Sequence, residues 1–271
     1  MGASSRWSRP GLNEPEESEE MKSRFSVIGA MVAAVALLLS AQPAVAAERP
    51  LEGNGWKLLP QHRVTSIEPG TVFTVTFTST ALKTKYTPYL TRSIAQLQAE
   101  GVNISIGGVT NVDPAVCPPT KGTIQFAEVY RPLNGQPGMS RALPCWTGDN
   151  AAWGGHVQMN SEYWTGWYLP TYMLNNVFPH EMLHVLGLDH PNKDLNGDGT
   201  VAAGECVATS YGIKPIMCSP NGGYTTTADQ GKLVGFDTAG VRQLIANGTI
   251  PSISAKRENR PARGEMGSPI G

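Results

Sequence analysis

Residues 180–190 read His-Glu-Met-Leu-His-Val-Leu-Gly-Leu-Asp-His, and no other feature of the chain restricts its fold so sharply. On an α-helix, residues four apart share a face, so His180 and His184 can both reach one zinc ion. Gly187 lets the backbone leave the helix in a left-handed conformation, which swings His190 back toward the same point. The outcome is three neutral nitrogen ligands, one open coordination position and a carboxylate, Glu181, beside them. A solvated amphipathic helix is the bland alternative, yet chance matching of five specified positions is on the order of 10⁻⁷ per window. His62 and His156 show no ligand spacing and read as ordinary polar residues.

The HEMLHVLGLDH segment resembles the signature of the metzincin clan of zinc metalloendopeptidases, H-E-x-x-H-x-x-G-x-x-H followed by a methionine turn. Ile216-Met217 in KPIMCSP is the counterpart of that turn, and the resemblance implies that Met217 forms an apolar floor under the metal. It also implies an α+β catalytic domain with a twisted mixed sheet, a zinc-binding active-site helix and a C-terminal helix. Substrate would lie extended along an edge strand, for which the stretch near Met139 to Pro144 is the candidate. Pro191 after the third histidine is similar to serralysins, and LGLDH to matrixins; the subfamily stays open. Ser219 stands where astacins and serralysins carry a supporting tyrosine. No cysteine precedes the first strand, so a matrixin-like cysteine switch has no counterpart.

The remaining sequence points to export. Lys22 and Arg24, the uncharged run Val27 to Leu39 and Ala44-Val45-Ala46 form the n-region, h-region and cleavage site of a signal peptide. The run is too short for a membrane span, which needs about 20 residues. Residues 1–20, acidic and unlike a signal, read as an upstream or non-native extension, with translation starting at Met21. Lys and Arg together number 21 against 22 Asp and Glu, so no basic excess advertises nucleic-acid binding. In an oxidising compartment the four cysteines favour two disulfides. Local pairing, Cys117 with Cys145 and Cys206 with Cys218, is expected over the other two connectivities, because each closes a loop-rich stretch. A zinc-binding cysteine cluster is the rival, without C-x-x-C spacing to support it.

Residues 47–70 read as an N-terminal arm or short pro-segment, 71–250 as the catalytic domain and 251–271 as a disordered tail. Thr71 to Thr80 alternates Val/Phe with Thr, the pattern of a half-buried strand. Pro88 to Glu100 places Leu90, Ile94 and Leu97 on one helical face, with Gly101 ending it. Strands are expected at Val102 to Ile106 and Thr123 to Tyr130. Met139 to Pro144 and His156 to Tyr163 read as strands separated by a turn at Gly154-Gly155, either being a candidate edge. A helix runs from Pro170 to Gly187, kinked at Pro179. Residues 188–235 read as loop, and Asp237 N-caps a final helix that ends at Asn247-Gly248.

Directly after the third histidine, Asp194, Asn196, Asp198 and Glu205 match the spacing of an EF-hand calcium loop, with Thr200 offering its backbone carbonyl. A metal-free Asx-rich turn is the alternative. These features set the expectation: a secreted, extracellular, monomeric zinc endopeptidase acting on protein or peptide, with calcium as second cation and no stable membrane anchor after signal cleavage. A zinc hydrolase of a non-peptide amide or ester, and a calcium-stabilised binding module with a silent zinc site, are the alternatives.

Overall fold

The computed structural model describes residues 49–165, 169–220 and 222–250, and the backbone of Glu265–Met266. The expected extension 1–20, the signal segment 21–46 and the rest of the tail from 251 lie outside the described residues. In chain order the elements are β1 (Glu52–Gly53), β2 (Trp56–Leu58), a 3-10 turn (Pro60–His62), β3 (Ser66–Ile67), β4 (Phe73–Phe77), α1 (Thr80–Ala99), β5 (Ile104–Val109), β6 (Thr123–Val129), β7 (Arg141–Trp146) and β8 (Ala151–Asn160). They continue with α2 (Glu162–Thr165), α3 (Thr171–Leu186), β9 (Leu188–Asp189), α4 (Gly235–Thr249) and β10 (Glu265–Met266).

The main sheet is mixed and runs β10-β7-β8-β6-β4-β5, with β3 pairing with the start of β8. β4, β5, β6 and β8 are mutually parallel neighbours, whereas β7 runs antiparallel to β8. A small antiparallel sheet joins β1, β2 and β9. Period-2 alternation buries Phe73, Val75 and Phe77 of β4 on one face. α1 lays Tyr86, Leu90, Ile94 and Leu97 into the same core at helical spacing. α3 packs against β7, β8 and α1. Phe178, just upstream of the histidines, stacks on Tyr89 at 4.5 Å and meets Tyr86 edge-on at 4.8 Å.

Several local expectations differ from the structure. The first long helix begins at Thr80, not Pro88, because Ser79 caps it by accepting from the Leu82 N–H. Its polar first turns bond Thr84 and Thr87 hydroxyls back to carbonyls four residues earlier, and Pro88 sits inside the helix. Gly154-Gly155 is not a turn but the middle of β8, and the turn lies at 147–150. A Cβ at Gly154 would collide with the Thr123 carbonyl and one at Gly155 with that of Leu143, so glycine allows three strand backbones to close up. β8 is therefore an inner strand, while among the described residues β7 is covered on its far side only at Cys145 and Trp146, by β10. Asp237 is the third residue of its helix rather than its cap.

Residues 49–70 are built into the domain: Leu58, Leu59, Val64 and Ile67 are buried and β2 pairs with β9. Cys117–Cys145 and Cys206–Cys218 are the two disulfides, as local pairing required. No helix among the described residues is long and apolar enough to cross a membrane.

Candidate metal centre

α3 carries His180 and His184 on one face, and the αL conformation of Gly187 (φ 115°) ends the helix. A Cβ at position 187 would also crowd Val64 and Leu244, so both the turn and the packing call for glycine. The chain then runs through β9 and brings back His190. The three Nε2 atoms lie 3.1, 3.1 and 3.0 Å apart, forming a group that can hold a metal ion.

The surroundings fix the chemistry of these nitrogens. His180 Nδ1 sits 2.8 Å from the Ile216 carbonyl oxygen and His184 Nδ1 sits 2.7 Å from that of Leu188. A carbonyl oxygen only accepts, so both Nδ1 atoms carry the proton and both Nε2 atoms present lone pairs. Lone pairs facing one another across 3.1 Å repel, and a cation at their meeting point turns that repulsion into binding. Tetrahedral zinc with bonds of 2.0–2.1 Å holds its nitrogens about 3.3 Å apart, close to this spacing. Burial first, and the neighbouring ring second, push His180 down to about 3, and burial holds His184 well below its ordinary value. Burial likewise lowers His190, against the opposing pull of Asp189.

Asp189, not singled out in the sequence, braces the third ligand. Its carboxylate accepts from the His190 backbone N–H at 2.8 Å and from Gln61 Nε2 at 2.6 Å, with Lys57 Nζ at 3.4 Å. Asn192 pairs its amide with both backbone groups of Ser219, and Cys206–Cys218 ties the following loop to the same turn. Asp237, fully buried, accepts from the Ile216, Met217 and Val234 N–H groups. Burial raises its carboxyl to about 6 even though these donors pull it down. An acid at the third position of a helix was the one available signal for this role. Met217 is buried in the main core.

Glu181 is buried, and its Oε2 has no hydrogen-bond partner. Burial pushes its carboxyl well above the usual range. It lines a cavity of about 240 Å³ whose apolar walls include Met139, Leu169, Met173, Val177 and Ile216.

The acidic loop closes on itself. Asp194 accepts from the Gly197 and Gly199 N–H groups, Asn196 from Asp198, Asp198 from Thr200, and Glu205 from Leu195 and Ala202. These amides hold the Asp194 and Glu205 carboxyls below their ordinary values. Among the described residues, the three histidines are the donor set that converges on one point.

No known family model matches this chain, and no curated protein matches it.

Proposed function

We propose that this chain is a zinc-dependent endopeptidase of metzincin type, exported and acting outside the cell. One observation carries the reading: two Nε2 lone pairs of fixed tautomer and a third imidazole meet at one point, and Glu181, whose buried Oε2 has no hydrogen-bond partner, lines the same cavity as His180. His180, His184 and His190 would hold the zinc. Bound in a three-ligand site, zinc lowers the pKa of water to about 7 and polarises a substrate carbonyl.

Glu181 would take the proton of the attacking water and hand it to the departing amine, a role that the absence of a competing donor at its Oε2 supports. The adjoining cavity accepts an apolar substrate side chain beside the reacting bond. Residues 141–144 of β7 have no strand on the side away from β8 among the described residues, so an extended peptide could pair there. The two disulfides suit an oxidising compartment.

The test is a metal analysis of purified protein together with a casein and peptide-library assay, on wild type and Glu181→Ala. The variant should keep stoichiometric zinc and lose cleavage; cleavage that persists in it refutes the role of Glu181. A calcium site at Asp194, Asn196, Asp198, Thr200 and Glu205 is supported by ligand spacing. Calcium should then raise the melting temperature of wild type and not of Asp194→Ala.

A further inference from the structure

The wall of the cavity opposite α3 is a loop end, Gly138 to Ser140, and a buried network holds it. Glu162, at the start of α2, is 8% exposed. Its Oε1 accepts from Arg131 Nε at 2.7 Å, and its Oε2 accepts from the Gly138 backbone N–H at 2.9 Å and from Asn160 Nδ2 at 3.0 Å. Asn160, fully buried, accepts in turn from the Arg131 and Glu162 backbone N–H groups. Arg131 (φ 46°) and Asn134 (φ 49°) sit in the left-handed region, so the loop between β6 and β7 is held against its own backbone preference.

A second chain of bonds runs along the cavity itself. The Asn160 N–H donates to Ser140 Oγ, Ser140 donates to the Tyr163 hydroxyl, and Tyr163 donates to the Gly138 carbonyl. Asn176 is satisfied as well, donating to Gly222 and Tyr224 and accepting from Gly231. The lining groups Ser140, Tyr163 and Asn176 thus spend their polarity on the protein, and Glu181 Oε2 is a buried side-chain atom of the lining without a hydrogen-bond partner. A polar side chain entering here would lose its water and find few partners.

We infer that Glu162 is a positioning residue: it anchors the Gly138–Ser140 wall, and that wall makes the cavity select apolar over polar substrate side chains. The inference rests on the endopeptidase reading for what enters the cavity, but not for the anchoring. Glu162→Gln sets an amide donor against one of three existing donors and so loosens the wall. Tyr163→Phe is the milder variant, freeing the Ser140 hydroxyl while keeping the ring.

Two measurements test this on the intact protein. Hydrogen exchange of the metal-free protein should rise in residues 132–140 of Glu162→Gln and stay unchanged across α3. Cleavage of a peptide library, read by mass spectrometry, should show the apolar-over-polar preference at one substrate position falling about tenfold, the scale of discrimination an apolar pocket supplies. The loss should sit in KM, zinc content should be unchanged, and Tyr163→Phe should shift the same preference by less. Unchanged exchange in 132–140, exchange rising equally throughout the domain, or activity falling uniformly over all peptides would each overturn the inference. A wild type that binds zinc and cleaves nothing removes the endopeptidase reading instead, and Glu162 is then judged by exchange alone.

Discussion

The Nδ1 atom of His180 lies 2.8 Å from the carbonyl oxygen of Ile216, so a turn far away in sequence decides which nitrogen of the ring faces His184 and His190. Asp237 holds that turn through the Ile216 and Met217 N–H groups. Asp237→Asn leaves at least one of three buried donors facing a donor and should cost about 1–3 kcal/mol of stability. Zinc affinity should fall roughly tenfold or more, as for other supports of a metal-binding histidine. Urea unfolding and a competitive chelator titration measure the two effects; zinc affinity equal to wild type would show that the turn does not orient His180.

Buried, with no hydrogen-bond partner at Oε2, the Glu181 carboxylate opposes folding at neutral pH. Burial raises its carboxyl above the unfolded value of 4.5, so its contribution is favourable at low pH and is lost as pH rises through and beyond that value. Glu181→Gln removes the charge. In chelator at pH 7.5 the variant should melt above wild type, while its cleavage falls at least 100-fold, the usual weight of a general base. Calorimetry and a casein assay decide it, and a lower melting temperature would contradict the electrostatic account.

Phe178 holds the histidine helix against α1 through its contacts with Tyr86 and Tyr89. Phe178→Ala should lower stability by about 3–5 kcal/mol, the range for emptying an aromatic core site. Denaturant titration gives the number. A loss under about 1 kcal/mol would mean that the neighbouring rings collapse into the space.

His156 is fully enclosed, with Nε2 against the Val116 carbonyl at 2.9 Å and Nδ1 facing Gln125 Nε2 at 3.3 Å. The carbonyl requires a proton on Nε2, so Nδ1 accepts and a second proton would confront the Gln125 donor. Burial lowers its pKa from 6.5, with the nearby Asp113 and the Val116 bond pulling the other way. The folded value lies below the unfolded one, so this stability is present above pH 6.5 and is lost as pH falls through 6.5 toward the folded value. His156→Gln should flatten that part of the acid slope in urea unfolding between pH 7.5 and pH 5. Superimposable slopes would assign the acid sensitivity to other groups.

The three-histidine group was legible because helical periodicity alone puts His180 and His184 on one face, and Gly187 has a steric reason for its place. The local pairing of the cysteines and the mixed character of the sheet could also be read. What escaped was held by distant partners. Gly154-Gly155 looks like a turn until strands approach from both sides, which no local pattern records. Pro88 looks like a helix start because the threonine-rich turns before it have weak intrinsic preference, which the Ser79 cap and packing on the sheet and on α3 override. Asp189, Asn192, Glu162 and Asp237 each owe part of their role to a partner remote along the chain, Gln61, Ser219, Gly138 and Ile216 respectively.

β2 hydrogen-bonds to β9, the two-residue strand that ends at Asp189, and Lys57 and Gln61 reach the carboxylate that steadies His190. The strand before the 3-10 turn is thus stitched to the last of the three histidines. A maturation cut upstream of β1 leaves this seam whole, whereas trimming past Leu58 would unstitch it and set His190 adrift from its two companions.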